Sequence, residues 1–335
     1  MNAIHRMSPN RPGDRFYLGG SQIDRFRSLR SGDPHTPEDW VASTTTLFAE
    51  DSLGLSALPD GRLLAEAIAN DPNGWLGPAH LEAYGADPML LVKLLDAGER
   101  LPVHVHPSRS FAMKHLSRVH GKTEAWVMLA SADVFVGWSR DVSEDELHHW
   151  VNTQEADKML RSMNRVHAAA GDVVLVPSGT AHAIDRGAFL VELQEPEDLS
   201  ILLEWDTFDI DGATDGHLGL GFDRALQAVN RSRLGRSDLD ALVRTNAVGS
   251  LMPQPAAPFF RADRFINGLG AWPSQPSFTV VVVLDGAGAI AGADGSRRSA
   301  HAGETFVVQY SAGLLSFDGA LDVVCCRPPA PGDRS

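Results

Sequence analysis

The sequence is poor in cysteine and in clustered positive charge, and each shortage excludes a class of protein. Its two cysteines, Cys325 and Cys326, are adjacent. Neighbours on a strand point to opposite faces, so a disulfide-stapled scaffold is excluded. The formal net charge is −14, and no run of Lys or Arg is available to neutralise phosphates or anionic lipids. We therefore expect neither a nucleic-acid nor a membrane partner.

Long apolar runs are also missing. No stretch of about eighteen apolar residues occurs, as a membrane-spanning helix would need. The first residues lack the apolar segment of a secretory signal, so we expect a cytoplasmic protein. With 335 residues, 43% of them hydrophobic, the chain is long enough for two domains.

Histidine and glutamate stand at spacings typical of a metal site. His104 and His106 lie two apart in a β-rich run, so their side chains leave the same face of a strand. Glu124 and His182 would complete a set of three imidazoles and one carboxylate. This set suits one divalent ion, with zinc preferred and manganese, iron or nickel also compatible. The alternative is a metal-free barrel whose histidines are held by hydrogen bonds.

The spacing of the glycine and proline residues before His182 indicates the fold of the chain. The pattern Gly-x5-Pro-x-Gly-x2-His, which ends at His182, resembles the second motif of the cupin superfamily. Short strands punctuated by glycine recur after residue 253, without a second ligand set. We predict an all-β-dominated fold of two cupin (jelly-roll β-barrel) domains with helical insertions. The predicted units are a metal-binding catalytic cupin domain with N-terminal strands and a helical insertion (1–206), a helical bridge (207–250), a second, metal-free cupin-like domain (251–328) and a tail (329–335).

Three strings resemble the type I mannose-6-phosphate isomerases in their shorter bacterial form. They are LPVHVHP (101–107), GKTEAW (121–126) and VPSGTAHAI (176–184), and they occur in the family's order. The resemblance implies that the metal ligands are His104, His106, Glu124 and His182. It further implies that Glu192 is the catalytic acid or base. Lys122 matches a lysine near the substrate, so we assign it a catalytic and a substrate-binding role.

The chain departs from the family at the substrate end of the site. His104 stands where the family has glutamine, and Pro102 where it has serine. The family's arginine after the Glu-x-Gln strand is missing, because no Lys or Arg lies between Glu192 and Arg224. Other cations would then have to bind the substrate. Lys93, Lys122 and Arg109 are our candidates; Lys93 interrupts an apolar run, and a buried ammonium needs a partner or a substrate anion.

The expected function is that of a metal-dependent aldose–ketose isomerase, converting mannose 6-phosphate to fructose 6-phosphate. The missing arginine leaves an isomerase of an unphosphorylated sugar as an alternative. The ligand set of three histidines and one glutamate also fits a cupin oxidase or dioxygenase, and a non-catalytic sugar-binding cupin is a third alternative. The expected partner is a sugar or sugar phosphate, and the expected state is a monomer or homodimer.

Overall fold

The computed structural model describes residues 2–246, 248–267 and 275–332. Strands dominate them. In chain order the strands are β1 (Ile4–Met7), β2 (Glu38–Val41), β3 (Leu91–Asp96), β4 (His104–Val105), β5 (Glu124–Ala130), β6 (Ala132–Trp138), β7 (Met163–Ala168), β8 (Val173–Val176), β9 (His182–Ile184), β10 (Phe189–Gln194), β11 (Ile201–Leu202), β12 (Val243–Arg244), β13 (Gly249–Ser250), β14 (Arg261–Ile266), β15 (Thr279–Gly292), β16 (Arg297–His301), β17 (Thr305–Val308) and β18 (Leu315–Arg327).

The helices are short and lie mainly between strands. They are α1 (Ser21–Phe26), α2 (Leu64–Asn70), α3 (Pro72–Leu76), α4 (Pro78–Tyr84), α5 (Arg109–Leu116), α6 (Glu144–Thr153), α7 (Ala156–Arg161), α8 (Gly212–Asp215), α9 (Phe222–Ala225) and α10 (Arg236–Ala241). The expected insertion between strands begins with α6, where the Ser143 hydroxyl accepts a hydrogen bond from the Glu146 N–H. In the part of the chain described, no helix is long and apolar enough to cross a membrane.

Two antiparallel sheets form the first barrel. One has the strand order β12-β8-β5-β10-β3-β2, and the other has the order β11-β4-β9-β6-β7. Trp126 and Leu190 of the first sheet share a buried cluster with Val134 and Ile184 of the second. The interior between the sheets is therefore a packed core.

The second unit is built on one antiparallel sheet of the order β1-β17-β15-β18-β14-β13, with β16 paired to β15. The run Val280–Val283 on β15 is buried at every position, as expected for a strand covered on both faces. The predicted strand-dominated architecture with helical insertions is confirmed.

Two strand pairings cross the predicted domain boundaries. The prediction placed residues 1–206 in the first domain, but β1 pairs with β17 in the sheet of the second unit, with His5 opposite Val307. Within the predicted bridge, β12 pairs with β8 of the first barrel. The pairing of β1 with β17 joins segments from opposite ends of the chain and buries Ile4. Contacts between such distant segments leave no local pattern in the sequence.

We expect Ile4→Ala to lower the free energy of unfolding by about 2–5 kcal/mol, because it removes a fully buried side chain from the sheet of the second unit. Urea unfolding of the full chain measures this change. Arg6→Ala on the same strand is the control, since its side chain is 66% exposed and forms a surface ion pair with Glu304. Equal stability of the two variants would contradict the role given to β1.

Candidate metal centre

Three histidines meet at one end of the first barrel. His104 opens β4 and pairs in register with His182, the first residue of β9. His106 directly follows β4, two residues after His104 and on the same face. All three side chains are buried, and one ring nitrogen from each lies within 4.8 Å of the other two.

Backbone carbonyls fix the orientation of each ring. The Nδ1 atoms of His104, His106 and His182 each lie 2.8 Å from a carbonyl oxygen, those of Pro102, Leu199 and Thr180 respectively. Because a carbonyl only accepts, each Nδ1 must carry the proton, so each Nε2 presents a lone pair to the centre. The Nε2 of His182 is buried and has no hydrogen-bond partner among the described residues. An ion at the centre would satisfy this atom.

Glu124 borders this cluster and shares it with Lys122. The Glu124 carboxylate lies 2.9 Å from the Nε2 of His106 and 3.4 Å from that of His182. The Lys122 ammonium lies 2.8 Å from the same carboxylate and 2.9 Å from the Nε2 of His106. The structure thus brings together all four predicted ligands, with one cation already beside them.

The environment keeps these groups in the ionisation states that a metal ion needs. Burial, with the neighbouring imidazoles, lowers the pKa of His104 well below its ordinary value. Burial and the charge of Lys122 lower the pKa of His106 to about 3. Burial opposes ionisation of Glu124, but Lys122 and His106 outweigh it and hold its pKa well below the usual range. Neutral imidazoles beside an ionised carboxylate form a ready ligand set.

A row of alternating charges leads away from the metal centre along one face of the six-stranded sheet. Lys122 lies 4.0 Å from Glu192, and Lys93 lies 3.6 Å from the same carboxylate. Lys93 also lies 3.6 Å from Glu38 and 3.9 Å from Asp198. The order of the row follows from strand pairing, because Lys93 on β3 is opposite Glu192 on β10.

Glu192 is the carboxylate of this row whose pKa is raised, whereas those of Glu38 and Glu124 are lowered. Burial, followed by the charge of Glu124, raises its pKa to about 7, against the opposing effects of Lys122 and Lys93. Its Oε1 is buried and has no hydrogen-bond partner in the described part of the chain. A carboxyl group that titrates near neutrality can both accept and return a proton.

The metal centre and the charged row open into one cavity of about 200 Å³. Its polar lining includes His104, Lys122, Glu124, Glu192 and Lys93. It is smaller than the roughly 300–1,000 Å³ typical of drug-sized sites, so it suits a small metabolite. A second cavity of about 480 Å³ adjoins it and shares Leu47, Phe48 and Asp198.

One predicted substrate contact lies elsewhere. Arg109, the first residue of α5, forms an ion pair with Glu195 and stacks on the Phe259 ring at 4.8 Å. It is not among the residues that line the cavity. Lys93 and Lys122 do line it, although carboxylates enclose both of them, and their contact with substrate stays a prediction.

Sequence reasoning missed other residues of the cavity. Arg15 and Tyr17 come from the segment before α1, and both contact Glu38 on β2. Asp198 lies in the turn after β10 and faces Lys93. No spacing rule in the sequence connects Arg15 or Asp198 with the histidines.

Known proteins share this fold and much of this sequence. No family model matches the chain. A protein of Bacillus subtilis (strain 168) named "Probable mannose-6-phosphate isomerase GmuF" is 27% identical over 250 residues, which cover 71% of this chain and 75% of that protein. The mannose-6-phosphate isomerase of Streptococcus mutans serotype c is 28% identical over 250 residues, covering 70% of this chain and 72% of that protein.

A solved structure extends the likeness to the whole chain. The crystal structure of the mannose 6-phosphate isomerase from Bacillus subtilis has a TM-score of 0.73 and 21% identity, and the match covers 97% of this chain and 99% of that one. At this identity the match establishes the fold.

Fold and site together define a protein of two cupin units, with three histidines and a glutamate clustered in the first. Its fold is that of the mannose-6-phosphate isomerases, which confirms the fold predicted from the sequence. The named relatives support the family resemblance.

We expect the purified chain to hold one divalent ion, and His182→Ala to lose it, because that change removes a lone pair that points to the centre. Elemental analysis after dialysis measures the ion content. His167→Ala is the matched control, since the side chain of His167 is 72% exposed and paired with Asp133. Unchanged metal content in His182→Ala would contradict the assignment.

Proposed function

We propose that the chain is a metal-dependent aldose–ketose isomerase that interconverts mannose 6-phosphate and fructose 6-phosphate. The observation that carries this proposal is a buried carboxyl, Glu192, with a pKa of about 7, beside Lys122 and the histidine cluster in one small cavity. The named relatives point to the same reaction, since they are mannose-6-phosphate isomerases by name.

The reaction moves a proton between two neighbouring carbons of an open-chain sugar. It needs a base whose pKa lies near the working pH, so that the group takes the proton from one carbon and returns it to the other. Glu192 meets this condition. Lys122 has its pKa raised because Glu124 and Glu192 outweigh the opposing effect of burial, so it remains an ammonium and donates hydrogen bonds.

The ligand set fits a divalent ion, with zinc as our first choice. His104, His106, His182 and Glu124 would hold the ion, and the orphaned Nε2 of His182 supports this fit. When bound, the ion would polarise the carbonyl and hydroxyl oxygens of the sugar. Glu192 and Lys122 orient the sugar and handle its protons.

An isomerase of an unphosphorylated sugar is the second candidate. The observation that favours it is the apolar wall of the cavity, formed by Leu101, Ile184, Leu202, Ile210 and Leu218. These side chains offer no donor to a phosphate. A cytoplasmic location and a monomeric or homodimeric state remain predictions.

A coupled assay tests the proposal directly. The zinc-loaded chain is given mannose 6-phosphate and, separately, mannose, and formation of the ketose is followed. Turnover of mannose 6-phosphate with a larger kcat/KM than mannose supports the first candidate. The reverse preference supports the second, and no turnover of either sugar contradicts both.

We expect Glu192→Gln to lower kcat by about 10²–10⁴-fold, because an amide cannot exchange the proton. The metal content should stay that of the parent, since Glu192 is not a ligand. Steady-state kinetics with mannose 6-phosphate measure the change. Glu304, a partly buried carboxylate in the connection between β16 and β17, provides the control: Glu304→Gln should keep the parent kcat. Parent-like turnover in Glu192→Gln would remove Glu192 from the reaction.

A further inference from the structure

An arginine from the N-terminal segment reaches the cavity. Arg15 lines it together with Glu38 and Asp198. One guanidinium nitrogen lies 3.2 Å from Glu38 and another lies 3.9 Å from Asp198. The side chain is 14% exposed, so its remaining accessible surface is limited.

The hydrogen-bonding capacity of Arg15 is only partly used. A guanidinium has five N–H donors. The Nε–H of Arg15 is buried and finds no acceptor among the described residues. Arg27 also has one buried nitrogen without a hydrogen-bond partner, but it donates to Asp39 and to Thr305, each at 2.8 Å. The Arg15 guanidinium thus faces the cavity with long ion-pair distances of 3.2 and 3.9 Å, which leaves it able to turn to a ligand, whereas Arg27 does not line the cavity.

The backbone holds Arg15 in place. The Arg15 N–H donates to the His35 carbonyl at 3.1 Å, and the His35 ring donates back to the Arg15 carbonyl at 2.8 Å. The next residue, Phe16, accepts a hydrogen bond from the Asp209 N–H and meets the Phe208 ring edge-on. The segment is thus tied to the chain on two sides, and the guanidinium does not hang from a loose end.

The other cations of the cavity are already committed. Lys93 lies within 3.9 Å of three carboxylates, and Lys122 lies against Glu124 and His106. The segment 193–223, where the family's arginine is expected, contains no Lys or Arg. Its residues that line the cavity are Asp198, Ser200, Leu202, Ile210, Asp215 and Leu218.

We propose that Arg15 binds the phosphate of the sugar substrate and sets the preference for a phosphorylated sugar. This inference rests on the proposed function, and it assigns the anion-binding role to a segment remote in sequence from the metal ligands. The planar guanidinium suits a phosphate because two parallel N–H groups can bind two of its oxygens.

The test compares Arg15→Gln and Arg15→Lys with the parent, all loaded with zinc. Calorimetry measures the Kd for mannose 6-phosphate, and the coupled assay measures KM and kcat. We expect Arg15→Gln to weaken binding of mannose 6-phosphate about 10- to 100-fold, as for loss of a hydrogen bond to a charged group. Arg15→Lys keeps the charge and should restore part of the affinity. Any turnover of mannose should change little.

Controls separate a binding role from a structural one. Arg264→Gln removes a similarly buried arginine, which pairs with Asp322 in the sheet of the second unit. This variant should bind mannose 6-phosphate like the parent. If Arg15→Gln does not fold, the double variant Arg15→Gln/Glu38→Gln removes both partners of the ion pair and is tested in its place. Zinc content and melting temperature are measured for each variant.

Parent-like affinity of Arg15→Gln for mannose 6-phosphate would overturn the inference. An equal loss of affinity for mannose 6-phosphate and mannose would also overturn it, since a phosphate contact acts on one of them alone. A parent chain that binds mannose 6-phosphate without turning it over would refute the proposed function, yet the calorimetric comparison would still decide the role of Arg15. A parent chain that binds no mannose 6-phosphate refutes both.

Discussion

Charge compensation inside a strand-walled cavity is the constraint on which the site depends. Five carboxylates line this space, and four of them alternate with three cations; these four are Glu38, Glu124, Glu192 and Asp198, and the cations are Arg15, Lys93 and Lys122. An unpaired buried charge is far more costly than a paired one. The alternation of carboxylates and cations therefore allows this fold to bury so many ionised groups. It also determines the position of each charged side chain.

The same constraint connects the row of charges with the metal centre. Lys122 belongs to both, because its ammonium contacts the Nε2 of His106 and the carboxylate of Glu124. A metal ion would draw on the same lone pairs. Binding of an ion therefore requires Lys122 to give up its contact with His106, and Glu192, 4.0 Å away, is the carboxylate able to receive it.

Local patterns in the sequence predicted the part of the site that is built from neighbouring residues. His104 and His106 share a strand face, and a glycine-proline turn presents His182, so their convergence follows from strand geometry and turn chemistry. The strand-dominated fold is confirmed, and the structure brings the three histidines together. Arg15 could not be found in this way, because its place depends on hydrogen bonds to His35 and on packing against the segment after β11.

Ion-pair partners and strand partners that are distant in sequence could not be predicted from local patterns either. Arg109 seemed a free cation in the sequence, but Glu195 lies within ion-pair distance only after β10 has folded against β5. Pairing of β1 with β17 likewise requires the whole chain between them. These features depend on long-range packing, which no periodicity of the sequence records.

The most direct test of the central claim is a crystal structure of the zinc-loaded chain with anomalous diffraction at the zinc edge. We predict one anomalous peak per chain, at about 2.0–2.2 Å from the Nε2 atoms of the three histidines and from a Glu124 oxygen. We also predict that the Lys122 ammonium will have moved away from His106. An empty centre with Lys122 still bonded to His106, or a peak outside the three-histidine cluster, would contradict the account.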